Sequence, residues 1–280
     1  MIDFSAILRY YKSMNIFSPK HFDYKHLKIA SPTPSEYHRH IHGGYELLYF
    51  LSGEAEFMIN ASTYRMKKRD LLLIQPGDYH YLIPNPNVPY ERICLHFSEQ
   101  VIPEPLKDRI ADFKPVYHLH KHSAIDNLFS ALPVAENEMQ YSKEDVLFLA
   151  GQTLGSILLH LCYLQSESSA PIESNHLLGD MLEYIDANVQ SHVNVDVLSK
   201  VFFKSTSWIS HAFSEKLNIP VQEYINNRKI VHAQALIAAG EQPTKVAAQL
   251  SFKNYSTFFK AYKKFLGNSP ADDMPKRKEW

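Results

Sequence analysis

Apolar residues recur on two different periods along this chain, and the period changes once. From about Tyr45 to Phe97 they come in short runs broken by turn signals. Tyr45 to Leu51 runs into Ser52-Gly53, and Glu56 to Ile59 runs into Asn60-Ala61-Ser62. Leu71 to Ile74 ends at Pro76-Gly77-Asp78, and Arg92 to Phe97 follows a Pro/Asn-rich loop. Short β-prone runs at this spacing predict a small barrel or sandwich. From Ile125 onward the period is helical. Leu147, Ala150, Leu154, Ile157, Leu161 and Leu164 lie 3, 4, 3, 4 and 3 residues apart, which is a heptad seam. It predicts a dimer-forming helix; the other reading packs this face on its own barrel. Gln165 to Asn175 has Ser, Pro and charge without an apolar period, so it reads as a flexible linker.

Everything after the linker reads as helices, and it repeats. Val197-Leu198-Ser199-Lys200-Val201 falls on Val246-Ala247-Ala248-Gln249-Leu250 at an offset of 49 residues. Ile209 then falls on Phe258, Phe213 on Tyr262, Leu217 on Leu266, and Asn218 on Gly267. Asn and Gly both tolerate the left-handed conformation that ends a helix. Each copy is an apolar helix, a short turn and a second helix. Ser205 caps the second helix of the first copy, Thr206 to Leu217, and Asn254 caps that of the second copy. A helix of this size enters a B-DNA major groove with its N-terminal half reaching base edges. The candidate contact residues are Lys204, Thr206, Ser207, Ser210 and His211 in the first unit. In the second they are Asn254, Tyr255, Ser256, Phe259, Lys260 and Lys263. Val221 to Ala239 reads as one long helix that holds the two units at fixed separation.

Charge supports this modestly. Asp180 to Trp280 carries 13 Lys/Arg against 10 Asp/Glu, and the rest carries 16 against 20, within a net charge of −1. At 280 residues and 45% hydrophobic, the chain is long enough for two cores. Cys94 and Cys162 stand apart in apolar runs, as free thiols of a reducing compartment do. The N-terminus has no signal-peptide pattern and no apolar stretch reaches membrane-spanning length, so the protein is expected to be cytoplasmic.

The stretch from Val246 to Pro270, VAAQLSFKNYSTFFKAYKKFLGNSP, resembles the signature of the AraC/XylS family of bacterial transcription regulators. The likeness covers about the last hundred residues. Ser251 stands where that family usually has Gly, Tyr262 where it usually has Phe, and His211 where the first reading helix often carries Arg. His contacts guanine less strongly than bidentate Arg, so more of the binding is expected from the second unit.

In the first half, His40, His42, Glu46 and Gly53 form H-x-H-x3-E-x6-G, and Gly77 and His80 form G-x2-H. These resemble the two motifs of the cupin barrel. In metal-using cupins the matching His40, His42, Glu46 and His80 bind one divalent ion, and imidazoles with a carboxylate suit Fe, Mn, Ni or Zn. Sensor domains of the AraC/XylS family use the same barrel for sugars and other small effectors. The resemblance therefore implies effector binding by His40, His42, Glu46, His80, Arg39 and Tyr49, with Tyr37 and His96 as further candidates. No cofactor is expected, with a divalent ion at the four positions as the alternative. His118, His120 and His122 alternate, and a solvated edge strand is preferred there to a metal site.

The reading is thus an α+β chain. A cupin-like β-barrel with a helical dimerisation segment (1–165) leads through a linker (166–176) to an all-α domain with two helix-turn-helix units (177–280). The expected function is ligand-responsive, DNA-binding transcription regulation, with carbohydrate metabolism as the target and no enzymatic activity. A metal-dependent enzyme on the same barrel is the competing class, and it gives the helical repeat no purpose. The expected partners are double-stranded promoter DNA, a small effector such as a sugar, and RNA polymerase if the regulator is an activator. A second copy is expected to dock through Leu147, Leu154, Ile157 and Leu161. No membrane partner is expected.

Overall fold

The computed structural model describes residues 21–33, 37, 39–121, 123–137, 141–164 and 170–275. Its first half is built on strands β1 (Phe22–Ile29), β2 (Tyr45–Ser52), β3 (Ala55–Ile59), β4 (Ser62–Arg65), β5 (Asp70–Ile74), β6 (His80–Pro84), β7 (Tyr90–Phe97) and β8 (Val116–His118). Helices α1 (Glu104–Ile110), α2 (Ala124–Asn137) and α3 (Lys143–Leu161) complete it. The strands form a five-stranded sheet in the order β1-β7-β2-β5-β8 and a four-stranded sheet in the order β6-β3-β4-β9, where β9 is Glu173–Ser174. The expected barrel is thus a pair of facing sheets.

Burial explains why β2 and β5 are continuous apolar runs. Leu48, Phe50, Leu72, Ile74 and Cys94 of the larger sheet meet Phe57, Ile59, Tyr64 and Leu82 of the smaller one. Leu47, Tyr49, Leu71, Leu73, Ile93 and Leu95 point the other way, onto Phe129, Leu132, Leu154, Ile157 and Leu158 of α2 and α3. A strand covered on both faces has no polar side to show.

Two expectations are corrected here. The heptad seam of α3 lies in this core: Leu154, Ile157 and Leu161 are buried and Leu147 packs against them. Those side chains cover the molecule's own sheet, so the seam is not a surface for a second copy. The linker reading of 166–176 fails over its second half. Ser174 and Glu173 pair with Ser62 and Thr63 of β4, and the Ile172 N–H donates to the Thr63 carbonyl at 2.7 Å. The chain here adds an edge strand to the smaller sheet instead of swinging free. β8 is an edge strand as expected; His118 sits half-exposed on it, 2.7 Å from Asp70, and His120 is exposed. His122 lies outside the described residues.

The second half is α4 (His176–Ala187), α5 (Val195–Phe202), α6 (Thr206–Leu217), α7 (Val221–Ala238), α8 (Pro243–Gln249) and α9 (Tyr255–Leu266). The 49-residue offset holds to the residue for α6 and α9. Ser205 accepts from the Trp208 N–H at 3.1 Å, and Asn254 accepts from the Thr257 N–H at 2.8 Å. Asn218 and Gly267 close the helices in the left-handed region, at φ 55° and 78°. The first unit and α4 share a core with Met58 of β3 and Tyr79 just before β6, whereas α8, α9 and the second half of α7 form a core of their own. Among the described residues no helix is long and apolar enough to cross a membrane.

Candidate functional site

Helix periodicity turns the repeat into two presented faces. Ile209, Phe213 and Leu217 are buried on α6, and Phe258 and Tyr262 on α9, which anchors each helix from beneath. Lys204, Thr206, Ser207, Ser210 and His211 are all exposed, as are Asn254, Tyr255, Ser256, Lys260 and Lys263. Phe259 is half-buried against Tyr255. Several of these groups are already engaged. The Asn254 Oδ1 atom caps α9, the Ser210 hydroxyl donates to the Thr206 carbonyl at 2.8 Å, and His211 lies 3.4 Å from Glu215. Tyr262, in place of the family's Phe, donates its hydroxyl to Asp273 at 2.7 Å. Ser251, in place of Gly, sits at φ 57°, which explains the preference for Gly there.

The sequence reading missed two exposed aromatics of the first unit. Phe203 is 92% exposed in the turn, and Trp208 is 40% exposed with the Lys204 ammonium 5.3 Å from its ring centre. Trp208 lies off the stripe marked by Ile209, Ala212 and Phe213, and that mismatch was the available signal.

The space between the two sheets holds a cavity of about 410 Å³, lined by Lys25, Tyr37, His40, Glu46, His80, Arg92 and His96 among others. This is small-ligand size. β2 supplies Glu46, β6 supplies His80, β7 supplies Arg92 and His96, and the segment before β2 supplies His40 and His42. Glu46 is 4% exposed. Its Oε2 lies 3.3 Å from His42 Nε2, 3.4 Å from His80 Nε2 and 3.3 Å from His96 Nε2. Burial acts to raise this carboxyl, and the three imidazoles facing it hold it well below the usual carboxylate range. Cys94, on the same strand face, is a buried thiol pushed up by burial. Arg92 and Lys25 add positive charge, and neither was singled out in the sequence. Arg92, Cys94 and His96 share one face of β7 at a spacing of two, so strand periodicity from His96 would have found Arg92.

Two expected effector residues lie elsewhere. Tyr49 sits on the helix-facing side of β2, stacked on Phe129, with its hydroxyl donated to Asp126. A spacing of three from Glu46 puts it on the opposite sheet face. Arg39 lies outside the cavity between the sheets. Its guanidinium donates to the Glu215 and Lys216 carbonyls at the C-terminus of α6 (3.2 and 3.4 Å) and to the Tyr81 hydroxyl (3.2 Å). On α7, Arg228 donates to the Pro76 carbonyl at 3.1 Å and to Asp186 at 2.5 Å. The motif glycine Gly77 has φ 84°, and a Cβ there would collide with this guanidinium. The sensor sheets therefore grip the helical half at defined points, and a second cavity of about 440 Å³ lies between the halves beside Arg228.

A capped pair of helix-turn-helix units docked on a sheet domain with a polar cavity defines a ligand-responsive, DNA-binding transcription regulator rather than an enzyme. Family models and curated relatives agree. Residues 27–136 match an AraC-like ligand binding domain, and residues 198–274 match a helix-turn-helix domain. The HTH-type transcriptional regulator YdiP of Escherichia coli (strain K12) is 25% identical over 83% of this chain and 79% of its own length. The arabinose operon regulatory protein of Salmonella typhimurium is 25% identical over 82% of this chain and 83% of its own. A solved structure of ToxT from Vibrio cholerae is similar over 90% of this chain and 97% of that one, at 14% identity and a TM-score of 0.39. The two halves of the chain are thus similar to the ligand-binding and helix-turn-helix domains of AraC-type transcription regulators.

Proposed function

We propose that this regulator controls carbohydrate-metabolism genes through a polar effector held between the two sheets by His40, His42, Glu46 and His80, with Tyr37, Arg92 and His96 completing the cavity. The exposed residues of α6 and α9 named above are the proposed DNA contacts, to which Trp208 is added. Residues 177–280 act as the reading unit and 1–165 as the sensor. RNA polymerase is the further partner if the regulator activates, and a homodimer uses a face other than the α3 seam.

One observation carries the DNA reading. Arg39 holds α6 by its carbonyl end, and the N-terminal residues of both α6 and α9 are exposed while the two halves are docked. N-terminal residues are those that reach base edges. The relative named for the arabinose operon supports a sugar effector, and imidazole, phenol and guanidinium groups suit its hydroxyls. Fluorescence anisotropy of the full chain with labelled promoter duplexes tests the first part. Binding that weakens steeply with salt is expected, and no binding at low salt ends the reading. A thermal-shift panel of sugars tests the second. A concentration-dependent rise in melting temperature is expected, and a flat panel removes the carbohydrate assignment.

A further inference from the structure

We propose that the cavity between the sheets takes an acidic sugar, a monosaccharide carrying one carboxylate, and that the Arg92 guanidinium and the Tyr37 hydroxyl hold that carboxylate. The inference rests on the reading above that this cavity receives a carbohydrate effector, and it names the chemical class of that effector.

Unmet hydrogen bonds mark the site. Buried polar atoms in proteins almost always have a partner. Among the described residues three buried side-chain atoms have none: His80 Nε2, Arg92 Nε and His96 Nδ1. All three residues line this one cavity. Arg92 decides the sign of the ligand. A guanidinium is charged at every pH a protein meets, and burying a charge without a partner is costly. Among the described residues no carboxylate forms an ion pair with it. The Tyr90 ring centre lies 5.8 Å from the guanidinium carbon, a cation–π contact that offsets only part of that cost. Lys25 also lines the cavity, but it pairs with Asp23 at 3.0 Å where both side chains are about half exposed, so it adds little.

Strand register sets the polarity of the space. On β7, His96 stands opposite Glu46 of β2, and Arg92 stands opposite Phe50. Four residues of strand separate the two positions by roughly 13 Å. The cavity therefore has a guanidinium end and, away from it, a carboxylate surrounded by imidazoles. At the guanidinium end the Tyr90 hydroxyl donates to the Tyr37 hydroxyl at 2.6 Å. Tyr37 keeps its own hydrogen to give, and it lines the cavity. A planar fork of N–H donors matches the two oxygens of a carboxylate, and the phenol adds a further donor. A phosphate ester also suits the fork, but near pH 7 it carries about two negative charges. Against a single unpaired guanidinium, in a space that already holds Glu46, a monoanion is the better match. At the far end Glu46 and the imidazoles suit hydroxyls, which both donate and accept; an apolar acid would leave these groups desolvated and unpaired. A carboxylate at one end and hydroxyls at the other describe a sugar acid.

The test is calorimetric titration of the full-length protein with D-glucuronate, D-galacturonate and D-gluconate, each beside its neutral counterpart D-glucose or D-galactose, and with glucose 6-phosphate. At least one acid is expected to bind ~30-fold or more tighter than its neutral counterpart, and Arg92→Gln should remove that advantage. Arg92→Lys keeps the charge without the fork and should restore only part of it. Tyr37→Phe should weaken the acid about tenfold while leaving the neutral sugar less affected. A melting curve of each ligand-free variant supplies a readout that a merely structural arginine would move the other way. Arg92→Met removes an unpaired buried charge and should raise the melting temperature by roughly 2–4 °C. Three results overturn the proposal: an acid preference that persists in folded Arg92→Gln and Tyr37→Phe, glucose 6-phosphate binding tightest, and neutral sugars binding as tightly as their acids. The last removes the acid and leaves the carbohydrate reading in place. Silence from acids and neutral sugars alike removes both readings, so the two failures are told apart by whether the neutral sugars bind.

Discussion

The two helix-turn-helix units share a 49-residue offset, the same reading-helix length and the same capping scheme, yet they are mounted differently. The first is part of the sensor's fabric. Ile209, Phe213 and Leu217 pack in one cluster with Met58 of β3 and Tyr79 just before β6, and Arg39 holds the helix end. The second rests on its own core of Phe258, Tyr262, Val246, Leu250 and Ile237. Their surfaces differ too. The exposed face of α9 carries Lys260, Lys263 and Lys264 and no acid, whereas α6 pairs His211 with Glu215 and shows Trp208. Duplication supplied two similar rods, and their surroundings mount them differently: the first packs into the sheets, and the second meets that half at Gly43 while resting on a core of its own.

The mounting is most sharply tested in the cores. Phe213→Ala and Phe258→Ala each empty a fully buried site and should each cost about 3–5 kcal/mol. Phe213→Ala is expected to loosen the sensor sheets along with the first unit, while Phe258→Ala leaves residues 45–97 protected, as read by hydrogen exchange. Equal damage to the sheets from both variants would erase the distinction. The surfaces come next. Replacing Lys260 and Lys263 by Ala should weaken promoter binding uniformly across sequences and lower the salt slope by about 1 for each phosphate left without its lysine. Lys204→Ala, whose ammonium already rests over Trp208, should change it less.

A smaller effect is expected in the turn of the second unit. Ser251→Gly removes a left-handed strain and should stabilise that unit by about 1 kcal/mol, seen as a later melting transition. The smallest is a pH effect at the junction. Burial first, and then the Arg228 charge, lower His232 from its ordinary 6.5. The native state then binds fewer protons than the unfolded chain, so this contribution to stability is present above pH 6.5 and is lost as the pH falls below it. In His232→Gln the acid-side decline in melting temperature should be shallower. An unchanged slope would detach His232 from it.

Much of the DNA-binding half was legible in the residues. Its helices are bounded by side chains that act on their own neighbours, so Ser205, Asn218, Asn254 and Gly267 mark ends that the fold keeps. The cavity was legible only in part. His40, His42, Glu46 and His80 were marked by a motif, but Arg39 and Tyr49 were placed beside them by proximity along the chain. A one-residue change of register reverses the face of a strand, and a loop residue next to a ligand owes nothing to that ligand's direction. The seam of α3 was read with its spacing right and its partner wrong, because a heptad stripe says only that something apolar covers it.

What the sequence by itself determined is therefore local: helix limits, turn residues, the duplication and the polar motif, all set by interactions between residues a few positions apart. Only the tertiary structure decided what covers α3, which strand face Tyr49 takes, that the region after residue 171 adds to a sheet, and that Arg39 and Arg228 clasp the opposite half. Those outcomes depend on interactions between segments up to 177 residues apart. No period along a chain encodes them, because burial rewards any apolar partner, and the choice among partners is made by packing the whole molecule at once.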